Sequence, residues 1–417
     1  MAEATVSGQG KSLAMWFPRS ANRDAQPSVE LHFNLWRMGH HGQKSDGILA
    51  RDMLDVGIMV KDPNGLDSIC LYLPTKIDAS NIEDLSLRFV GHVLPTGVFN
   101  ESLTGSSGHD GSLVKIHRLS GEPYCSIFNF PTSNGSISSS YIVVKQDLDG
   151  SVITIGLEAL KLGCSGLAAG ENLYFRLRIA MPENSSGIFF SSTSPSNKWL
   201  TSSIDVVEHM DFRLNQNRTL NPGIPQYLVD QDSPNYVPVK RLDFLLVVGV
   251  AVDLVIGHRD FHKCRLLETD LWKSYASEAH LKKGMVIYHW KEMNGGKPIK
   301  DFNAFVKLRV KLSGWQIIKS YLIIALIFGA ICGASGNLVY DLIKSALKAD
   351  GHELSQSAAR CHDAPGAMGS LSASELDRKV GAPPQARKSN EPTTKDGRLE
   401  PPNSGNMMTT TVGGGAQ

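Results

Sequence analysis

YLIIALIFGAICGASGNLVY, residues 321–340, is the stretch on which the reading of this chain turns, and it carries no charge. Between Lys319 and Asp341 lie 21 uncharged residues. At about 1.5 Å of rise per residue a helix of that length reaches about 30 Å, the thickness of a bilayer's hydrocarbon core. Nine of the 21 are Leu, Ile, Val or Phe. Each favours insertion by about 0.3–0.6 kcal/mol near the helix centre, together about 3–5 kcal/mol, from which Ser335, Asn337 and the glycines subtract. Trp315, Lys319 and Tyr321 at one end and Tyr340 at the other sit where interfacial anchors belong. The competing reading is a buried helix of a soluble fold, but such helices are usually shorter and rarely hold three glycines. The pattern predicts one membrane-crossing helix over 315–341, with the lipid bilayer as its partner.

With about 100° of turn per residue, the segment has two sides. Ala325, Gly329, Cys332, Gly333 and Gly336 share one side, with Asn337 at its edge; Ile323, Ile327, Ile331 and Leu338 lie opposite. Gly329 and Gly333 form a G-x-x-x-G pair that Ala325 extends backwards. Small residues let two helix backbones approach closely in lipid, so self-association through this stripe is expected.

Orientation follows from charge and from the N-terminus. Lys307, Arg309, Lys311 and Lys319 precede the span, and Lys344, Lys348 and Arg360 follow it, a slight bias toward an N-terminus on the inner side. MAEATVSGQGKSLAMWFPRS has no apolar run of the length a secretory signal peptide needs. The large N-terminal part is therefore expected to be cytosolic. Beyond the span, residues 351–417 contain no Phe, Tyr or Trp and six Leu or Val among 67 residues, a composition expected to stay disordered.

Upstream, after a flexible N-terminus over 1–26, residues 27–220 read as strands. VELHFNLW puts Val29, Leu31, Phe33 and Leu35 on one face, and ENLYFRLRIAM does the same with Leu173, Phe175, Leu177 and Ile179. DVGIMVKDPNGLDSICLYL has two alternating runs about P-N-G, and SYIVVKQDLDGSVITIGLE has two about Asp149-Gly150; both read as hairpins. A β-sandwich or open barrel is expected. The proline-rich stretch 221–238 reads as a linker or long loop. A mixed α/β region follows over 239–311. There FLLVVGVAV (244–252) is a buried strand or, alternatively, a second membrane segment. ETDLWKSYASEAHLKKG is an amphipathic helix with Leu271, Trp272, Tyr275 and Ala279 inward, started by Thr269 or Asp270 and stopped at Gly284.

Several fragments imitate catalytic motifs and fail. GQGKS (Gly8 to Ser12) has Thr5 where a phosphate loop needs its first glycine, and no strand precedes it. HRDFHKC at His258 lacks the magnesium-binding Asn, Arg265 standing there. GCSG (Gly163 to Gly166) is followed by Leu167 where a nucleophile elbow needs glycine. His258, His262 and Cys264 lack a fourth ligand, and His40-His41 read as loop residues. The six cysteines form no C-x-x-C pair. No metal, cofactor or catalytic residue is expected. Net charge is +1, from 42 basic and 41 acidic residues, which carries no strong nucleic-acid signal.

The sequence thus predicts a mainly β protein with one transmembrane helix and a disordered tail, acting as a membrane-anchored binding or sensing module for an unknown ligand or protein partner. Two other functions stay open. One is a membrane-perturbing effector, of defence or toxin type, activated when its helices cluster. The other is a membrane-anchored enzyme without a linear motif.

Overall fold

A computed structural model describes residues 11–20, 24–38, 51–133, 135–147, 149–182, 187–193, 205–229, 233, 235–276, 281, 283–311 and 314–358. By internal contacts the chain forms two units, residues 1–331 and 332–417. The first unit opens with Ala14–Trp16 (β1), Ser28–Trp36 (β2), Met53–Lys61 (β3), Ile69–Leu73 (β4) and Ile82–Asp84 (β5), then a short helix, Val93–Phe99 (α1). Leu103–Ser107 (β6), Leu113–Arg118 (β7), Pro123–Phe128 (β8), Thr132–Ser133 (β9), Ser136–Ile137 (β10), Ile142–Asp147 (β11) and Gly150–Ile155 (β12) lead to a second helix, Leu157–Ser165 (α2). Leu173–Ala180 (β13), Phe190–Thr193 (β14), Asp205–Leu214 (β15), Val239–Gly249 (β16), Val252–Gly257 (β17) and Lys263–Leu266 (β18) precede a one-turn helix, Thr269–Trp272 (α3). Met285–Glu292 (β19) and Phe302–Lys311 (β20) are followed by a long helix, Gly314–Ala358 (α4).

Ten strands make the largest sheet, in the order β18-β19-β16-β2-β3-β13-β8-β7-β6, with β5 also on β13. Its pairings are antiparallel except β16 with β2 and β13 with β8. Two four-stranded sheets, β1-β4-β12-β11 and β14-β15-β20-β17, accompany it. The alternation in the sequence accounts for how they stack. Leu31, Phe33 and Leu35 of β2, Phe175 and Ile179 of β13 and Phe244 and Leu246 of β16 turn to one face of the large sheet. There they form one core with Ile69 and Leu71 of β4 and with Met210, Phe212, Phe302 and Leu308 of the other small sheet. The Phe212 ring lies 5.2 Å from Phe33 and 4.4 Å from Phe244, centroid to centroid. The body is mainly β, as its patterning predicts, with the small sheets packed on the large one.

One expected hairpin changes. The P-N-G stretch does not close a hairpin: β3 pairs with β2 and β13, whereas β4 pairs with β1 and β12 in another sheet. Pro63–Gly65 is a single 3-10 turn that carries the chain across the core, entered through Asp62 at φ 54°. Gly65 is needed for that crossing, because an added Cβ would stand 2.5 Å from Pro27 Cδ. The Asp149-Gly150 hairpin does form, with β11 and β12 paired from Ile142–Ile155 to Asp147–Gly150. The stretch 221–238, expected as a linker or long loop, is loop and short 3-10 turn where it is described. Strands from either side of it are neighbours, β16 lying parallel to β2 from Val239–Val29 to Val247–Trp36. Parallel partners so far apart in sequence leave no local turn signal.

Residues 244–252 lie in β16 and at the start of β17, with Phe244, Leu246, Val247 and Val248 fully buried. Within the expected amphipathic helix, Thr269–Trp272 forms the single turn of α3, residues 273–276 are turn and bend, and Leu281 is helical; residues 277–280, Ala279 among them, and 282 lie outside the described residues, and Leu271 is 38% exposed. Gly284 takes φ 82°, as a stop does. In α4, Tyr321–Leu347 is apolar enough and long enough to cross a membrane, with none of its apolar window buried. That segment reaches about 40 Å at a helix's rise per residue and ends slightly later than the sequence suggests, because Leu342, Ile343 and Leu347 continue its apolar side past Asp341. Residues 359–417, most of the expected disordered tail, lie outside the described residues.

Candidate functional site

The other face of the large sheet holds the polar chemistry. Every second residue of its central strands turns that way: His32, Asn34 and Trp36 on β2, Asp55 and Gly57 on β3, Tyr174, Arg176 and Arg178 on β13, Asp243 on β16 and His289 on β19. The register lays them side by side, His32 beside Asp243, Asn34 beside Asp55 and Arg178 beside Asp55. This face is covered by α1, the turn Ser86–Phe89 and the segment around α3, whose Phe89, Leu94, Trp272, Tyr275 and Leu281 make a second core. A polar face under such a cover must satisfy its own hydrogen bonds.

It does so as a chain of contacts. Asp55, fully buried, accepts from Arg178 Nε at 2.7 Å and Nη2 at 3.0 Å, and from Trp36 Nε1 at 2.8 Å. Burial alone would raise the Asp55 pKa; the Arg178 and Arg176 guanidiniums outweigh that and hold it below the usual carboxylate range. Arg176, also fully buried, donates to Tyr275 Oη at 2.8 and 3.0 Å and to Tyr174 Oη at 3.4 Å. The amide orientation that satisfies Asn34 places its oxygen 2.8 Å from Arg176 Nη2. Gly57 makes the arrangement possible: an added Cβ would stand 2.0 Å from Tyr174 Oη. Arg178 Nη1 and Arg88 Nη1 both donate to the Tyr275 carbonyl, at 2.8 and 2.9 Å, which fixes the covering segment to the sheet.

The chain ends at a cavity of about 160 Å3. Its floor is His32, Asn34, Asp243 and His289; its walls include Arg241, Lys263, Arg265 and Lys291; Gly97 to Asn100, Tyr124 and Trp272 enclose the rest. Asn100, left-handed at φ 56°, ends α1 by donating its N–H to the Thr96 carbonyl, and so turns the chain at the rim. Tyr174 Oη lies 3.2 Å from His32 Nδ1. Burial pushes the His32 imidazole down to about 3, although Asp243 acts the other way, so the ring is neutral at neutral pH. Arg176 can only donate, so Tyr174 accepts from it and donates to His32 Nδ1. The His32 proton is then on Nε2, 3.7 Å from Asp243 Oδ2. His289 Nε2 donates to Asp243 Oδ1 at 2.7 Å, and Arg241 Nε to Oδ2 at 2.5 Å. Burial opposes ionisation of Asp243; the His289 hydrogen bond, with His32 and Arg241 nearby, overcomes it and lowers its pKa to about 2.

The site is therefore a fixed carboxylate between two imidazoles under a basic rim. Among the described lining residues there is no Ser, Thr or Cys to serve as a covalent nucleophile. No group of three or more His, Cys, Asp or Glu able to hold a metal occurs among the described residues. His258 and Cys264 stay out of the cavity lining, whereas His262, between them, joins it, its ring 5.6 Å from that of His289. His40 and His41 lie outside the described residues.

None of the sequence-stated helix residues belongs to this cavity. Ala325, Gly329, Cys332, Gly333, Gly336 and Asn337 are all exposed on α4, and a Cβ added at any of those three glycines would meet nothing within 4 Å. Tyr321 and Tyr340 are exposed too; at Trp315 and Lys319 the helical backbone alone is described. Sequence reasoning missed His32, Asp243 and His289. The one signal in the sequence is polar residues alternating with apolar ones along these strands, which reads equally as a strand with one face in water. No protein-family model matches the chain, and a search of curated proteins finds no match.

Proposed function

We propose that this protein is a membrane-tethered ligand-binding module: α4 crosses the bilayer, the β-rich body stays on the cytosolic side, and the cavity over His32, Asp243 and His289 receives the ligand. The observation that carries the reading is that cavity. Its floor is held by a buried hydrogen-bond network spanning five adjacent strands of the sheet, so the binding groups are fixed before a ligand arrives, which lowers the ordering cost of association. The tether rests on the 27 residues Tyr321–Leu347, whose apolar 18-residue window has a mean hydropathy of 2.2.

A second reading is supported by the exposed stripe on α4. Ala325, Gly329, Gly333 and Gly336 offer a close-packing surface to another copy of the helix, with Asn337 able to hydrogen-bond across it. Ligand binding that clustered the bodies would then pack the helices, and clustering could act on the bilayer.

Protease added to intact cells that express the chain with a C-terminal tag tests the tether. The expected result is loss of the tag with the body protected. A tag that survives in intact cells and is lost after lysis would remove the single-pass arrangement.

A further inference from the structure

Resting on the cavity being a ligand site, we propose that its ligand is a small organic anion, a phosphate or carboxylate group joined to an apolar portion. Three independent features point there. The first is charge. Arg241, Lys263, Arg265 and Lys291 line the cavity against the one carboxylate of Asp243. Arg241 is committed to Asp243 and, at 3.8 Å, to Glu30; Arg265 lies 4.0 Å from Glu268 and donates to the Gly97 carbonyl at 3.3 Å. Lys263 and Lys291 are exposed and make no ion pair among the described residues. Two mobile cations thus stand at the rim of a pocket whose internal carboxylate is already neutralised by its neighbours.

The second feature is an orphaned donor. Trp272 is 1% exposed, lines the cavity, and its Nε1–H has no hydrogen-bond acceptor among the described residues. A buried N–H without an acceptor is costly, and an anionic oxygen is the acceptor that would repay it most. A Cβ on Gly97, another lining residue, would stand 3.5 Å from Trp272 Cζ2 and 3.9 Å from Cε2, the carbon bonded to Nε1, so this edge of the indole packs beside the α1 wall of the cavity.

The third feature is the apolar wall. Phe99 and Tyr124 pack with ring centroids 5.2 Å apart beside the polar floor. A volume of about 160 Å3 is comparable with the apolar cavity of about 150 Å3 that accepts benzene in another protein. It suits one ring or short chain carrying one anionic group, and is too small for a folded polymer or an acyl chain inserted along its length.

The test uses the full-length chain in lipid nanodiscs at constant ionic strength, with phenyl phosphate and phenol as probes and the unfolding midpoint as readout. Phenyl phosphate is expected to raise the midpoint saturably. Lys263→Ala/Lys291→Ala, which changes two exposed side chains, is expected to weaken its apparent affinity about tenfold or more, equivalent to about 1.4 kcal/mol. Trp272→Phe is expected to weaken it as well while phenol is little affected. If phenol and phenyl phosphate bind alike and the double-lysine variant is unchanged, the anion inference is wrong although the cavity remains a ligand site. If neither probe shifts the midpoint, the anion inference fails and the binding reading loses its site.

Discussion

The two faces of the large sheet are both covered over its central strands and built from opposite chemistry. On one face Phe33, Phe175, Phe244 and their neighbours pack by shape alone against the small sheets. On the other, Asp55 and Arg176 are fully buried and Arg178 nearly so, and each contact has a direction and a partner. Apolar packing is tolerant of small changes; a buried charge network is not, because losing one member strands the rest. A protein that needed only a core could have covered both faces with aliphatic residues. Holding guanidiniums and carboxylates in the interior costs desolvation and yields a surface with fixed polar geometry, which is what a recognition site requires.

The comparison can be broken most sharply at Asp55. Asp55→Asn preserves shape and removes the charge facing two buried arginines, so it should destabilise the fold by about 3–5 kcal/mol. On the opposite face Ile58→Val, which deletes one methyl group from the apolar core, should cost about 0.5–1.5 kcal/mol. Denaturant unfolding of the two variants side by side checks the contrast; equal losses would mean that the polar face is not a coupled network. Tyr275→Phe should fall between them. It strips the acceptor from two Arg176 donors and is expected to cost about 1–3 kcal/mol.

Acid should act on the polar face through His32 and Asp243. His32 has a folded pKa of about 3, against about 6.5 when unfolded. Between those values the unfolded chain binds a proton that the folded chain excludes, so stability falls as pH drops below about 6.5. Asp243, lowered to about 2 from about 3.9 unfolded, adds stability that is complete above about pH 4 and lost as pH falls toward 2. Both terms pull in one direction. His32→Gln should flatten the melting temperature profile between about pH 6.5 and 4, and a profile as steep as the wild type's would exclude His32 as the cause. The smallest effect on stability is expected for Lys263→Ala/Lys291→Ala, within about 0.5 kcal/mol, although it alters the cavity rim most.

The contrast also explains what could be read in the sequence. The apolar face was legible, because Leu173, Phe175, Leu177 and Ile179 alternate without interruption. So was the apolar helix, whose length and lack of charge are local properties. The polar face was hidden in the same strands. Tyr174, Arg176 and Arg178 occupy the positions that in a half-exposed strand would face water, and nothing local reveals that Asp55 and Tyr275 cover them. The hairpin expected at Pro63–Gly65 failed for a related reason: turn chemistry fixes a bend, but which sheet the next strand joins depends on partners far along the chain. His289 lies in β19, and its partner Asp243 closes the site only when β16 and β19 pair.

On the proposed reading, the polar face supports both the fold and a ligand cavity, whereas the apolar face supports the fold alone. The most direct test is the phenyl phosphate-induced rise in unfolding midpoint for the wild type, Ile58→Val and His289→Gln, all full-length in nanodiscs. The account predicts that Ile58→Val lowers the starting midpoint and keeps the ligand-induced rise. His289→Gln should diminish the rise, since it removes the imidazole that anchors Asp243 at the cavity floor. A rise that is equal in all three chains, or lost equally in both variants, would contradict the division of labour between the faces.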